Sequence, residues 1–166
     1  MPEKAILALS EAPSISILIV LSVVMLVLII FSALISGSEV AYFSLDAKKR
    51  DALISEKTNS GSRVVTLLES PKKLLATILI ANNFINVSIV MVSFYFAKGV
   101  FASSELSEWV LFLINVIGAT FVILLFGEVI PKVYATKHSI SFSKFMSSPI
   151  SFLSMIFGPF SRLLVS

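Results

Sequence analysis

Three uncharged, apolar stretches dominate this chain, at residues 12–38, 74–97 and 109–126. A helix needs about 20 apolar residues to cross the ~30 Å hydrocarbon core, and each run is of that order. Every backbone donor and acceptor inside a bilayer must be satisfied by the protein itself, so the runs must be helices or closed barrel strands. Barrel strands would show alternating segments of ~10 residues, and none is present. The predicted fold is an all-α integral membrane protein. It has three transmembrane helices, at about 15–44, 74–97 and 109–132. Composition agrees: 57% of the 166 residues are hydrophobic and 14% charged, against roughly 25% charged in soluble domains.

Between the first two runs the chain changes character. Residues 46–73 carry Lys48, Lys49, Arg50, Lys57, Arg63, Lys72 and Lys73 against four acidic residues, with a Thr-Asn-Ser-Gly-Ser turn cluster at 58–62. Apolar patterning on either side of that cluster predicts short helices lying on the membrane surface. So many basic residues next to two spans place this loop in the cytoplasm. Residues 1–14 are then an extracytoplasmic N-terminus, and the C-terminus is cytoplasmic, as the basic Lys137 and Lys144 also indicate. The expected location is a cell inner (plasma) membrane. Trp109 stands where an interfacial aromatic anchor belongs. After the third span, a juxtamembrane helix at about 138–164 is predicted. Pro149, Gly158 and Pro159 favour a helix lying on the membrane over a fourth span, without deciding the matter. The chain stops at Ser166 within an apolar pattern, as expected of a membrane domain that precedes a soluble cytoplasmic one.

The polar residues inside the apolar runs carry the functional signal. Glu128 closes the third run within Phe126-Gly127-Glu128-Val129-Ile130-Pro131-Lys132. A carboxylate at membrane depth costs about 2.5–3.5 kcal/mol on insertion scales and marks a site by default. Pro131 cannot donate to the carbonyl four residues earlier, that of Gly127, which leaves a free oxygen beside the carboxylate. The bland alternative is an interfacial carboxylate paired with Lys132. The first run ends in Ser36-Gly37-Ser38-Glu39, read either as a helix end in the headgroups or as a locally opened helix facing a polar interior. The second holds Asn82, Asn83 and Asn86, some 13–20 Å from the basic edge at Lys73, near the midplane. One asparagine would be explained by interhelical hydrogen bonding, but three within one short stretch are costly unless they line something polar.

Hydroxyl, amide, carboxylate and carbonyl oxygens are the ligands on offer. They suit Mg²⁺, Ca²⁺, Mn²⁺ or Na⁺ and disfavour soft metals. The chain has no cysteine, so thiolate sites and disulfides are excluded. His138 has no second ligand near it in sequence. No basic patch with interleaved aromatics points to nucleic acid. His-Glu-x-x-His, Gly-x-Ser-x-Gly and an intramembrane aspartate pair are all missing, so the chain is not expected to be an enzyme.

Three motifs in order resemble one family. Ser36-Gly37-Ser38-Glu39 followed by Ala41-x-Phe43-Ser44-Leu45, then Leu79-Ile80-Ala81-Asn82-Asn83-Phe84-Ile85-Asn86, then Phe126 to Lys132, are similar to the membrane domain of the CorC/cyclin M (CNNM) magnesium transporters. The resemblance runs from about Ile17 to about Pro159. It implies a homodimer of three-helix membrane domains followed by paired cytoplasmic CBS modules, which this chain lacks, and Mg²⁺ export coupled to Na⁺ influx. It also implies an Mg²⁺ held by Ser36 or Ser38, by Asn83 with Asn82 and Asn86 as alternatives, and by Glu128. The Gly127 carbonyl is added from the proline argument. Glu39, Pro131 and Lys132 remain for a second cation or for gating. Ala81 stands where many members have glycine. A competing reading is a non-transporting dimeric membrane anchor or sensor for a cytoplasmic domain, with polar groups that only stitch helices together.

Overall fold

The computed structural model describes residues 14–102, 104 and 106–158. The expectation for the N-terminus therefore falls almost wholly outside the described residues, as does the end of the juxtamembrane helix. The described elements are α1 (Ile15–Phe43), α2 (Ala47–Ser55), α3 (Asn59–Leu68), α4 (Pro71–Val100), α5 (Glu108–Val122), a π-helical segment (Ile123–Val129), α6 (Ile130–Lys137) and α7 (Ser139–Ile156). Among them, three continuous helices are long and apolar enough to cross a membrane: Ile15–Phe43, Pro71–Val100 and Glu108–Lys137. The second and third run several residues past the apolar stretches, because Lys72, Lys73, Glu108 and Lys137 continue the helices into the interface.

Local chemistry sets the helix starts. Asp46 accepts from the backbone N–H of Lys49 at 2.8 Å, and Thr58 accepts from that of Gly61 at 3.2 Å, so both surface helices have side-chain caps. Ser107 caps α5 through the N–H of Val110. Pro71 begins α4, where its missing N–H costs nothing.

The spans turn their apolar side chains outward. Ile19, Val23, Leu26, Phe84, Met91, Ile117 and Phe121 are all exposed, as a bilayer-facing surface requires. The compact core lies instead at the basic end. There Ile35, Tyr42, Leu45, Leu53, Val64, Leu68, Leu74, Ile78, Ala81, Met146 and Ile150 form one buried cluster from α1, α2, α3, α4 and α7 and the turn after α1. The juxtamembrane α7 packs across this end rather than continuing as a fourth span. Tyr42 Oη donates to the carbonyl of Ser143 at 3.2 Å, Lys49 Nζ donates to Ser139 Oγ at 3.1 Å, and Lys144 pairs with Glu56.

Gly37 does not open α1, which is α-helical through to Phe43. Both readings of Ser36-Gly37-Ser38-Glu39, as a helix end and as a locally opened helix, are corrected accordingly. A Cβ on Gly37 would lie 2.7 Å from Phe142 Cζ, so the glycine lets α7 approach α1 closely. The backbone irregularity is in the third span, as π-helical turns just before Pro131. The wider turns, in which the N–H of Ile130 bonds back to the carbonyl of Leu125, absorb the residue that cannot donate.

Candidate cation site

Contacts along the spans fix their directions. Ser32 meets Asn86, and farther along α1 the cluster joins Ile35 to Ile78 and Ala81, so α1 and α4 are antiparallel. Gly127 lies against Ser32 and Lys132 against Glu39, so the third span runs parallel to α1. Residues on the facing sides therefore fall into layers about one helical turn apart.

The deepest layer holds Ser32, Asn86 and Glu128. Ser32 Oγ donates to Asn86 Oδ1 at 2.7 Å, and Asn86 Nδ2 donates to Glu128 Oε1 at 3.2 Å. One hydrogen-bonded chain thus links all three spans. Gly127 is buried here, and a Cβ on it would come within 2.8 Å of Ser32 Oγ. Only a residue without a side chain lets the third span come this close to α1.

One turn nearer the basic end are Ser36 on α1 and Asn82 on α4. Ser36 is 1% exposed, and Ser36 Oγ and Asn82 Oδ1 are both buried without a hydrogen-bond partner. Leaving one such group unpaired costs about 1–3 kcal/mol, so two oxygens at one level call for a ligand or water. Another turn on, Lys132 Nζ lies 3.1 Å from Glu39 Oε2, and each side chain is 37% exposed. An open cleft of roughly 390 Å³ adjoins this pair, lined by Glu39, Val40, Phe43, Ser44 and Leu75.

The structure thus brings together Ser36, Asn82, Asn86, Gly127 and Glu128, with the Glu39–Lys132 pair one turn on, and Pro131 at the start of α6 after the π-helical segment. It separates two others. Asn83 points away from the bundle and is exposed on the surface of α4. Ser38 is buried, but its hydroxyl turns back to the carbonyl of Leu34 at 2.7 Å. Glu128 is not the partner of Lys132. The lysine crosses to α1, and the carboxylate accepts from Asn86 instead.

Sequence reasoning missed Ser32. The available signal was its i,i+4 spacing from Ser36, which puts both hydroxyls on one face of α1. Asn115 lies with Ser93 in the wall of an otherwise apolar cavity of roughly 220 Å³, farther from the basic end, with Nδ2 buried and unpartnered. Among the described residues, no group of three His, Cys, Asp or Glu side chains is placed to hold a metal. A cation at the deep layers would therefore meet one carboxylate and several neutral oxygens.

Comparison with known proteins places this architecture. An UPF0053 protein of Haemophilus influenzae is 34% identical over 146 residues, covering 84% of this chain and 32% of that protein. The UPF0053 inner membrane protein YfjD of Escherichia coli is 29% identical over 133 residues, covering 75% of this chain and 28% of that protein. The chain thus spans about a third of the length of the curated relatives it matches. The family described as cyclin M transmembrane N-terminal domain matches residues 23–166, which include most of α1, the other two spans whole and every residue of the layered site. With its motifs carried on these helices in this order, the chain belongs to the CNNM transmembrane-domain family.

Proposed function

We propose that this chain is the ion-handling membrane domain of a Mg²⁺ transporter, exporting Mg²⁺ at the expense of Na⁺ influx. The observation that carries the reading is the pair of buried, unpartnered oxygens of Ser36 and Asn82, one turn from Glu128. Hard oxygen ligands with a single carboxylate suit a divalent cation that keeps part of its water, with Mg²⁺ as cargo and Na⁺ as a weaker competitor for the same oxygens. Ser36, Asn82, Asn86 and Glu128, with the Gly127 carbonyl, would hold it. Neither a covalent step nor an enzymatic activity is proposed.

The basic surface helices face the cytoplasm in this reading, with the N-terminus outside, and the inner membrane named for the Escherichia coli relative is the expected location. CBS modules in the full-length protein would set when the site opens. The stitching alternative draws on the Ser32–Asn86–Glu128 hydrogen bonds, which would hold the spans together with no ion present. It leaves the oxygens of Ser36 and Asn82 unexplained.

Metal titration of the melting curve separates the two readings. A ligand that binds only the folded state stabilises it, by about 2.7 kcal/mol at one hundred times its Kd. The expected order is a strong upward shift with Mg²⁺, a smaller one with Mn²⁺ or Ca²⁺, and the least with Na⁺. Identical curves with and without all four ions would leave only the anchor.

Asn83 supports a homodimer. An unpaired amide facing lipid costs several kcal/mol, whereas in a two-fold dimer across this face, amid the exposed Leu79, Phe84 and Val87, the second copy's own Asn83 would pair with it. Because the chain lacks cysteine, Asn83→Cys introduces a single thiol. Mild oxidation in membranes should give a disulfide-linked dimer, and a purely monomeric product would remove α4 from the interface.

A further inference from the structure

We propose that Glu39 is a docking ligand for the divalent cation at the mouth of the site, and that Lys132 is a built-in competitor the cation must displace. The inference rests on the cation-site reading above. Its first support is charge. Glu128 alone leaves a divalent ion with a net positive charge, and a buried net charge is costly. Among the described residues, no group of three acidic, imidazole or thiol side chains is placed to hold the ion. Glu39 is the carboxylate that follows next along the same path, three residues beyond Ser36 and so on the same side of α1.

The second support is the partner Glu39 already has. Lys132 is four residues beyond Glu128 and could have reached back to it along its own helix. Its ammonium instead crosses to Glu39 Oε2 at 3.1 Å. A cationic group is thus already seated on this carboxylate, at the water-facing end of the layered oxygens. Both side chains are about one-third exposed, and wet pairs of this kind are weak, so a divalent ion can displace the ammonium. The third support is room. The roughly 390 Å³ cleft beside Glu39, with Ser44 in its wall, can admit an ion that is still hydrated. Mg²⁺ dehydrates reluctantly, so a first contact through one carboxylate and retained waters fits its chemistry.

Calorimetric Mg²⁺ titration of the purified chain in detergent at low ionic strength tests this. Lys132→Gln removes the cost of displacing the ammonium from an exposed ion pair, so it should tighten Mg²⁺ binding on the order of fourfold. Higher salt should shrink the gain. Lys132→Arg, which restores the charge, should abolish it, and so should the Glu39→Gln/Lys132→Gln pair, which removes the freed ligand. A field effect alone would persist in Glu39→Asp/Lys132→Gln, which keeps the carboxylate charge but shortens its reach, whereas loss of a docking contact removes the gain there as well. Should Lys132→Gln not yield monodisperse protein, Lys132→Met gives the same reading.

A Lys132→Gln protein that binds Mg²⁺ no tighter than the parent overturns the inference alone, as does a gain that persists in either double variant. Absence of any Mg²⁺ signal in the parent chain overturns the site reading and this inference with it.

Discussion

Glu128→Gln should abolish the Mg²⁺-dependent rise in melting temperature and Mg²⁺ flux in proteoliposomes, while the metal-free protein stays folded. The substitution preserves shape and leaves an oxygen to accept from Asn86 Nδ2, so the hydrogen-bonded link across the three spans survives. What disappears is the single formal negative charge of the deep layers. A dication cannot be drawn from water into a site of neutral oxygens at membrane depth without it, because the desolvation cost is then unopposed. At one hundred times the Kd, the parent should gain about 2.7 kcal/mol and the variant essentially nothing. Full Mg²⁺ stabilisation in the variant would remove Glu128 from the site and return it to helix stitching.

Gly127→Ala is the second change with a large expected effect, and it acts through shape rather than charge. The added methyl would sit 2.8 Å from Ser32 Oγ, inside any real contact distance, and 3.4 Å from Ser32 Cβ. Either the third span backs away from α1 or Ser32 leaves Asn86. Overpacking of this kind costs about 1–3 kcal/mol. It should also weaken Mg²⁺ binding, because the clash lies in the layer that carries Glu128. Gly118→Ala is the matched comparison on the same span, since a Cβ there meets nothing within 4 Å. Differential scanning fluorimetry of both variants, with and without Mg²⁺, would settle it. Equal melting temperatures for the two would show that the approach at Gly127 is not tight.

The three spans were legible because an uncharged run of that length has few other physical solutions. Glu128 and the asparagine cluster were legible because polar groups at that depth are expensive. What could not be read was the facing of each helix. α4 is apolar on all sides, so the spacing of Asn82, Asn83 and Asn86 fixes their relative angles but not which of them turns inward. The structure turns Asn82 and Asn86 in and Asn83 out. Gly37 was ambiguous for a related reason, since a glycine that permits close packing and one that ends a helix look alike until Phe142 is seen against it. Ser32 carried no cost signal, because a lone hydroxyl in a helix can bond to its own backbone. The partner of Lys132 was invisible for a different reason. Sequence favours the carboxylate one turn away, and the one chosen lies on another helix.

The π-helical segment has a consequence for the phase of the third span. Its wider turns hold more residues each than the α-helical turns on either side, so a uniform helical wheel drawn from Trp109 to Lys137 loses its phase at Ile123. Asn115 and Glu128 cannot be assigned to the same or opposite sides by counting at a constant angle. The direction in which Glu128 and Lys132 point is set by the number of residues inside that segment. The third span is therefore a part with a fixed thread count, and an apolar helix of equal length but regular pitch would fill the same space in the membrane while aiming its carboxylate elsewhere.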